Sequence, residues 1–312
     1  MRSPYRPRRI LIAGATGTIG SAILPSLAGF GVPMRVLLHH RDLAVPLAGP
    51  PSLDDPGPRP TIEVARGDLA RPESIRGEAQ SAGVRIFVLI GYTGTVQERD
   101  DTSRPVNEET LPEGRYESEN VRLKYETEAM VLESNRSGGM TTMVVSPGVL
   151  AQPGASTILG GFVELFVSGE LPFRVLNEVW LATSDGADVG RGVASAIALG
   201  NGGRRYFLTG DCRRLQEIYG LLSEISGVPE PRRKLPDLLL EELGLLTPVL
   251  PRGSFLRRLV LPRELVLHMK RLAPVENART RAELGLKPTP LRSTLTAMIG
   301  TEGDLARRRA SI

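Results

Sequence analysis

Two periods of apolar and polar positions alternate along the chain, one of short uninterrupted runs and one of helical spacing. Ile10-Leu11-Ile12-Ala13 is a short apolar run of strand type, and Ile19, Ile23 and Leu27 then recur at i, i+4 and i+8. Met34 to Leu38 predicts a second strand, Thr61 to Ala65 alternates as a third, and Val84 to Ile90 reads as a buried fourth. Met143 to Val149 and Arg205 to Gly210 extend the series. Helical patterns fall between them: Glu73 to Ala82, a stripe of Val121, Tyr125, Ala129 and Leu132, and a stripe of Leu215, Ile218, Leu222 and Ile225. Strands separated by helices predict an α/β protein. Pro25 falls inside the first helix, where it is expected to bend or shorten it. Residues 43–60, rich in proline and glycine, predict an irregular connection.

Composition narrows the picture. With 312 residues, 41% of them apolar, the chain can bury a sizeable core. It has no apolar run long enough to span a membrane, and the basic stretch Met1 to Arg9 does not read as a secretory leader. The single cysteine, Cys212, fits a reducing compartment, so a cytoplasmic protein is expected. His39 and His40 are adjacent and His268 is distant, a spacing that offers no zinc site. A net charge of +4 is weak support for a nucleic-acid partner, because the arginines are mixed with acids and aromatics are only 4%. A small molecule is the expected partner.

The chemistry begins at Gly14-Ala15-Thr16-Gly17-Thr18-Ile19-Gly20, which lies between the first strand and the first helix. Gly14 permits the tight turn, Gly17 lets backbone approach a pyrophosphate, and Gly20 lets helix and strand pack closely. Open amides at a helix N-terminus meet the phosphate charge, which assigns Thr16, Thr18 and Ile19 to the same cradle. The second strand ends at His39-His40-Arg41 with no carboxylate to accept from ribose hydroxyls. That basic cluster favours NADP(H) over NAD(H).

Gly-x-x-Gly-x-x-Gly after an apolar strand resembles the short-chain dehydrogenase/reductases, specifically their extended and atypical members. The resemblance runs over residues 9–299 and is nearest to the dihydroflavonol-reductase-like and 3β-hydroxysteroid-dehydrogenase-like branch. It implies a Rossmann-type doubly wound parallel sheet with a smaller C-terminal substrate lobe, residues 1–150 forming the dinucleotide-binding region. Residues 151–312 are then mainly substrate lobe, with segments returning to the Rossmann core. In this family Gly67-Asp68-Leu69 places Asp68 on the adenine, with Leu69 beside it, and Pro147-Gly148-Val149 holds the nicotinamide. Asp185 to Leu199 is similar to a segment in which an Asp-Val pair, here Asp188-Val189, begins a helix. Asn277 to Ile299, with Glu283-Leu284-Gly285 and Pro288, is similar to the family's C-terminal signature.

The chain departs from that pattern in its middle. Only thirty-four residues separate Ile90 from Lys124, so one strand-helix unit is expected to be missing or eroded. Where the family has a serine or threonine after the strand, this chain reads Gly91-Tyr92-Thr93-Gly94-Thr95. Where it has Tyr-x-x-x-Lys, this chain reads Asn120-x-x-x-Lys124, so the usual tyrosine is replaced. A phenol protonates the developing alkoxide while lysine lowers its pKa and holds the nicotinamide ribose; asparagine donates a hydrogen bond and delivers no proton. Tyr125 lies on the apolar stripe, and Tyr116 lies two turns (~12 Å) before the lysine. Tyr92 and Thr93, with Asn120 and Lys124, are therefore the candidate catalytic set, and Gly91 and Lys124 the candidate nicotinamide contacts. The apolar stretch Gly160 to Phe173 predicts either a pocket wall or a core helix.

The expected activity is an NADP(H)-dependent ketoreductase without the usual tyrosine, acting on a bulky, aromatic or polyketide-like ketone in secondary-metabolite or antibiotic tailoring. A nucleotide-sugar epimerase or dehydratase and a non-enzymatic dinucleotide sensor are the alternatives. If Arg41 carries the cofactor preference, Arg41→Ala weakens NADPH binding by about 1–3 kcal/mol, the worth of a charge-assisted contact, and leaves NADH nearly unaffected. Titration calorimetry with both nucleotides checks this; equal affinities in the unmodified protein overturn the preference.

Overall fold

The first strand, β1 (Ile10–Ala13), enters a helix α1 (Thr18–Ala28) whose buried face is Gly20, Ile23, Leu24 and Leu27. The computed structural model describes residues 5–13, 15, 17–38, 61–66, 84–135, 140–152, 157–251 and 260–310. Pro25 does not shorten α1. It sits exposed, and the helix runs on to Ala28 because the apolar face around it stays buried.

Strands β2 (Met34–Leu38) and β3 (Ile62–Arg66) pair in parallel beside β1, in the order β1-β2-β3. Ile10 sits opposite Met34, and Met34 opposite Ile62. A second parallel sheet joins β4 (Ile86–Ile90), β5 (Thr141–Pro147) and β8 (Arg205–Leu208), in the order β4-β5-β8. Among the described residues no strand pairing joins β1 to β4. The two sheets share one hydrophobic core instead: Ile10, Ile12 and Val36 pack in the same cluster as Met143, Val145, Tyr206 and Leu208.

After β4 comes one turn of helix, α2 (Gly94–Gln97), and then the long α3 (Glu119–Glu133). The stripe expected to bury α3 is only half-buried at Tyr125, Ala129 and Leu132; the fully buried positions are Val121 and Glu128. A carboxylate thus occupies a position that a core helix normally gives to an apolar side chain.

The second half builds a separate core. Strands β6 (Val149–Ala151), β7 (Trp180–Asp185) and β9 (Cys212–Arg214) form a small mixed sheet. Over it pack α4 (Ile158–Val167) and α6 (Leu215–Ser226), together with α7 (Asp237–Gly244) and α8 (Arg263–Lys270). Leu159, Val163, Phe166, Ile218, Tyr219 and Leu222 are its centre. Helix α5 (Gly186–Leu199) returns to the first core through Val189, Val193 and Ala196. Its N-terminus is capped by the Asp185 carboxylate, which accepts from the amides of Ala187 and Asp188 at 2.9 and 3.2 Å.

The C-terminal segment ties the halves together. Helix α9 (Ala278–Leu284) ends at Gly285, whose φ of 65° is the left-handed turn that follows many helices. Thr289 then donates to Asp188 on α5 through its amide at 2.6 Å, and α10 (Leu291–Ala310) lies against α4. On the other side, Glu108 accepts from the Thr280 amide at 2.9 Å, so the loop before α3 is fastened to α9.

Because the second core is assembled from its own residues, Leu222→Ala empties a buried site there and should cost about 2–5 kcal/mol. Urea unfolding followed by circular dichroism measures the loss; a variant as stable as the wild type would show that Leu222 is not tightly packed.

Candidate active site

In a parallel α/β sheet, ligands sit at the carboxyl ends of the strands. Here the ends of β4 and β5 lie side by side, since Ile90 is opposite Val145. Gly91 donates its amide to Val145 at 2.8 Å and Thr93 donates to Pro147 at 3.0 Å, so the chain leaving β4 stays laced to β5. This places Tyr92 and Thr93 at the strand ends that the sequence assigns them.

Helix α3 completes the site. A cleft of about 240 Å³ opens between the end of β4 and α3, lined by Leu89, Ile90, Gly91, Asn120, Leu123, Lys124, Thr127 and Glu128. Asn120 and Lys124 face it one turn apart, as their spacing on a helix requires. The Lys124 ammonium also lies over the Tyr92 ring, 5.5 Å from its centroid. Such an arrangement gains from the ring quadrupole.

What holds these pieces together is Glu128. Its carboxylate accepts from the Tyr92 amide at 3.0 Å and from the Thr95 hydroxyl at 3.0 Å, and it pairs with the buried guanidinium of Arg205 on β8 at 3.1 Å. Burial pushes the Glu128 carboxyl above its ordinary value, against the opposing pull of Arg205 and the two hydrogen bonds.

Tyr92 is fixed at each end. A Cβ on Gly94 would come within 2.1 Å of the Tyr92 ring, so only glycine fits beneath it. At the far end its hydroxyl meets Nε2 of His268 at 3.3 Å, and Nδ1 of His268 meets the Glu98 carboxylate at 2.9 Å. Burial, with the charge of Glu98 behind it, pushes the Tyr92 phenol up to about 12. The Thr93 and Ser146 hydroxyl oxygens are buried without a hydrogen-bond partner among the described residues.

The residues suit a dinucleotide. The N-cap of α1 is Gly17, extended at φ −79° and ψ 168°; among the described residues no side chain caps the helix, and its first turn holds no acid. The first-turn amides of Thr18, Ile19 and Gly20 are therefore open to an anion, as a pyrophosphate requires. At the other end, the orphaned Thr93 hydroxyl and the exposed ammonium of Lys124 are donors of the kind that ribose and carboxamide groups accept. Gly148 is held close to β7 as well. A Cβ there would strike the Ala182 carbonyl at 2.0 Å, and its amide already donates to Ser184 at 2.8 Å. Val149 lies beyond it in β6, paired with Thr183.

Gly14, Thr16, His39, His40, Arg41, Asp68 and Leu69 lie outside the described residues. Among the described residues no cluster of histidine, cysteine or acidic side chains could hold a metal ion, and no helix is long and apolar enough to cross a membrane. The sequence reading missed Arg205, Glu98 and His268. His268 had been set aside for its zinc spacing, and 170 residues separate it from Glu98.

No family model matches the chain. It is 25% identical to sterol demethylase protein B of Methylococcus capsulatus, over 91% of this chain and 94% of that protein. A nucleoside-diphosphate-sugar epimerase of Pseudomonas aeruginosa superimposes with a TM-score of 0.71 at 20% identity, covering 95% of this chain and 98% of that one. The UDP-glucose 4-epimerase of Thermus thermophilus in complex with NAD does so with a TM-score of 0.65 at 15% identity, covering 95% and 99%. The chain has the fold of the extended short-chain dehydrogenase/reductases. Within this fold, the chain sets Asn120, Lys124 and Tyr92 around the end of β4.

Glu128 and Arg205 set the stability of the site. Arg205→Met leaves a buried carboxylate without its cation and should cost about 3–5 kcal/mol at neutral pH. With the folded-state carboxyl raised above its unfolded value, the folded state is favoured at low pH. The stability deficit of the variant therefore grows as pH rises from the unfolded carboxyl pKa through the folded one. Thermal melting across that range reads the slope; a deficit independent of pH would show that Glu128 is not the group left uncompensated.

Proposed function

We propose that this chain is a nicotinamide-dependent oxidoreductase of the short-chain dehydrogenase/reductase type, and that it reduces a ketone on a bulky small molecule with NADP(H) preferred. The observation that carries this reading is the Lys124 ammonium over the Tyr92 ring beside Asn120, at the ends of two parallel strands. A reduced nicotinamide bound there supplies hydride to the carbonyl carbon.

The chain's own groups divide the remaining work. Lys124 binds ribose hydroxyls and places positive charge beside the site, favouring the alkoxide as it develops. Tyr92, Thr93 and Asn120 are the donors to the substrate oxygen, and Thr93 brings a hydroxyl whose hydrogen-bonding capacity the protein leaves unspent. Gly17, Thr18, Ile19 and Gly20 receive the pyrophosphate, with Gly14 and Thr16 before them. Asp68 and Leu69 take the adenine end, and His39, His40 and Arg41 the ribose phosphate. Gly91, Pro147, Gly148 and Val149 line the nicotinamide end. Residues 1–150 serve the dinucleotide, and the lobe built from 151–312 receives the substrate. The similarity to a sterol demethylase protein supports a large, mostly apolar substrate, and aromatic or polyketide-like ketones share that character.

A second reading, epimerisation or dehydration of a sugar nucleotide, is supported by the names of the solved neighbours. That chemistry needs a base that removes a hydroxyl proton. A phenol whose pKa is pushed up to about 12 stays protonated near neutral pH, so Tyr92 does not supply that base.

Lys124→Ala is expected to lower both cofactor affinity and turnover. Asn120→Ala and Thr93→Val should each lower turnover by up to about a hundredfold, the scale of one lost transition-state donor. NADPH absorbance with a panel of steroid and aryl ketones reads turnover, and fluorescence titration of NADPH reads binding. Conversion of a sugar nucleotide without net NADPH consumption would instead establish the second reading.

A further inference from the structure

Behind Tyr92 stands a chain of buried polar groups that the proposed reaction has not yet used. Tyr92 Oη lies 3.3 Å from His268 Nε2, and His268 Nδ1 lies 2.9 Å from Glu98 Oε2. The side chains of His268 and Glu98 are 3% and 1% exposed. Three separate parts of the chain meet here: the end of β4, the residue after α2, and α8 from the second half. A buried acid and a buried imidazole in contact are costly to assemble unless each satisfies the other.

Resting on the ketoreductase reading, we propose that Tyr92 is the proton donor to the substrate oxygen, and that His268, positioned by Glu98, replaces the proton Tyr92 gives up. The phenol that α3 lacks at Asn120 is thereby supplied from the end of β4, beside the same Lys124.

The balance is simple. As hydride forms the new C–H bond at the carbonyl carbon, the C=O π pair moves to oxygen and takes the Tyr92 proton. The Tyr92 oxygen then takes the Nε2 proton of an imidazolium, leaving neutral His268 whose Nδ1–H is retained and still donates to the Glu98 carboxylate. After the alcohol leaves, a solvent proton returns through the Tyr92 hydroxyl to Nε2. The nicotinamide is oxidised, the ketone is reduced, and one solvent proton is consumed.

The geometry fits these roles. With Glu98 accepting from Nδ1, a protonated His268 turns Nε2–H toward the phenol oxygen and leaves the phenol proton free for substrate. A neutral His268 instead accepts that proton and withholds it. Lys124 near the ring favours the transient phenolate, and the raised phenol pKa keeps the donor loaded between turnovers. Glu98 is held in turn: it accepts from the Glu117 amide at 2.6 Å and faces Arg271 at 3.7 Å. Arg271 also pairs with Glu117 at 3.1 Å and Asp100 at 2.8 Å, and lies 3.9 Å from Glu113. Reductive turnover should therefore fall toward alkaline pH, where a neutral imidazole holds the phenol proton back; the charged groups around this pair are Glu98, Glu117, Asp100, Glu113, Arg271 and Lys124.

The test uses the full chain and three conservative variants, Tyr92→Phe, His268→Gln and Glu98→Gln, each checked for folding by circular dichroism. The first readout is NADPH oxidation with a steroid ketone across pH. The second is NADPH affinity. The third is the imidazole nitrogen shift of His268, assignable because the chain has 3 histidines. Tyr92→Phe is expected to lower kcat by about a hundredfold or more, the contribution of a positioned general acid, with NADPH affinity unchanged. His268→Gln should lower kcat and abolish the alkaline fall, and Glu98→Gln should shift that fall together with the His268 midpoint. Wild-type kcat in Tyr92→Phe, or an unaltered pH profile in His268→Gln, overturns the proposal. Should the wild type reduce no ketone, the ketoreductase reading fails by itself. The relay is then judged by the nitrogen shifts: a His268 titration unmoved in Tyr92→Phe overturns it, and a displaced one supports it.

Discussion

The site depends on one buried carboxylate. Glu128 joins the end of β4, through the Tyr92 amide, to β8, through Arg205, while its own backbone belongs to α3. Those three elements carry every group in the cleft. Desolvating a carboxylate and a guanidinium costs several kcal/mol per ion before their attraction is counted, so such a pair is weak evidence for stability as such. Its value here is positional. A hydrophobic contact would let α3 slide over the sheet, whereas three directed bonds to one carboxylate fix the register of Asn120 and Lys124 against Tyr92.

That register needs fixing because the sheet around it is interrupted. The strands β1-β2-β3 and β4-β5-β8 share a core but no strand pairing among the described residues. In a continuous sheet, backbone hydrogen bonds would set the height of β4 relative to β1 and the start of α1. Here side-chain packing of Ile86, Val88 and Ile90 into the common core takes over that task, and packing is less directional than a ladder. The polar fastenings therefore lie on the other side of β4, toward β5, β8 and α8.

Most of the frame was legible in the order of apolar runs. The strands at Met34 and Arg205 and the helix at Leu215 begin where their patterns begin, because a period of two or of 3.6 is imposed by the backbone itself. The start of α1 directly after Gly17 was legible because the i, i+4, i+8 pattern from Ile19 is local. Glu128 was not legible, because the stripe on α3 is carried by apolar residues and a buried acid has no periodic signature. His268 was invisible for a different reason. Its partners come from residues 92 and 98, and nothing in the spacing of a helix near residue 268 reveals which distant strand end will face it.

The altered helix and the His268 contact are linked by a physical constraint. A phenol on α3 at position 120 would approach the cleft from the helix, with Lys124 one turn away on the same face. Asn120 carries no acidic proton, so any acid must come from another element while staying within reach of Lys124. The end of β4 meets both conditions, since the Tyr92 ring lies under the Lys124 ammonium. Moving the phenol there changes its surroundings, however. On an exposed helix face water could return its proton; at the end of β4 the hydroxyl lies against Nε2 of His268 on α8. Among the described residues His268 is the imidazole that reaches it, already paired with a carboxylate, so a proton source stands beside the donor. On the proposed relay the second half of the chain contributes a residue to the site, and the fastening of Glu108 to α9 and of Thr289 to α5 becomes part of holding that site together.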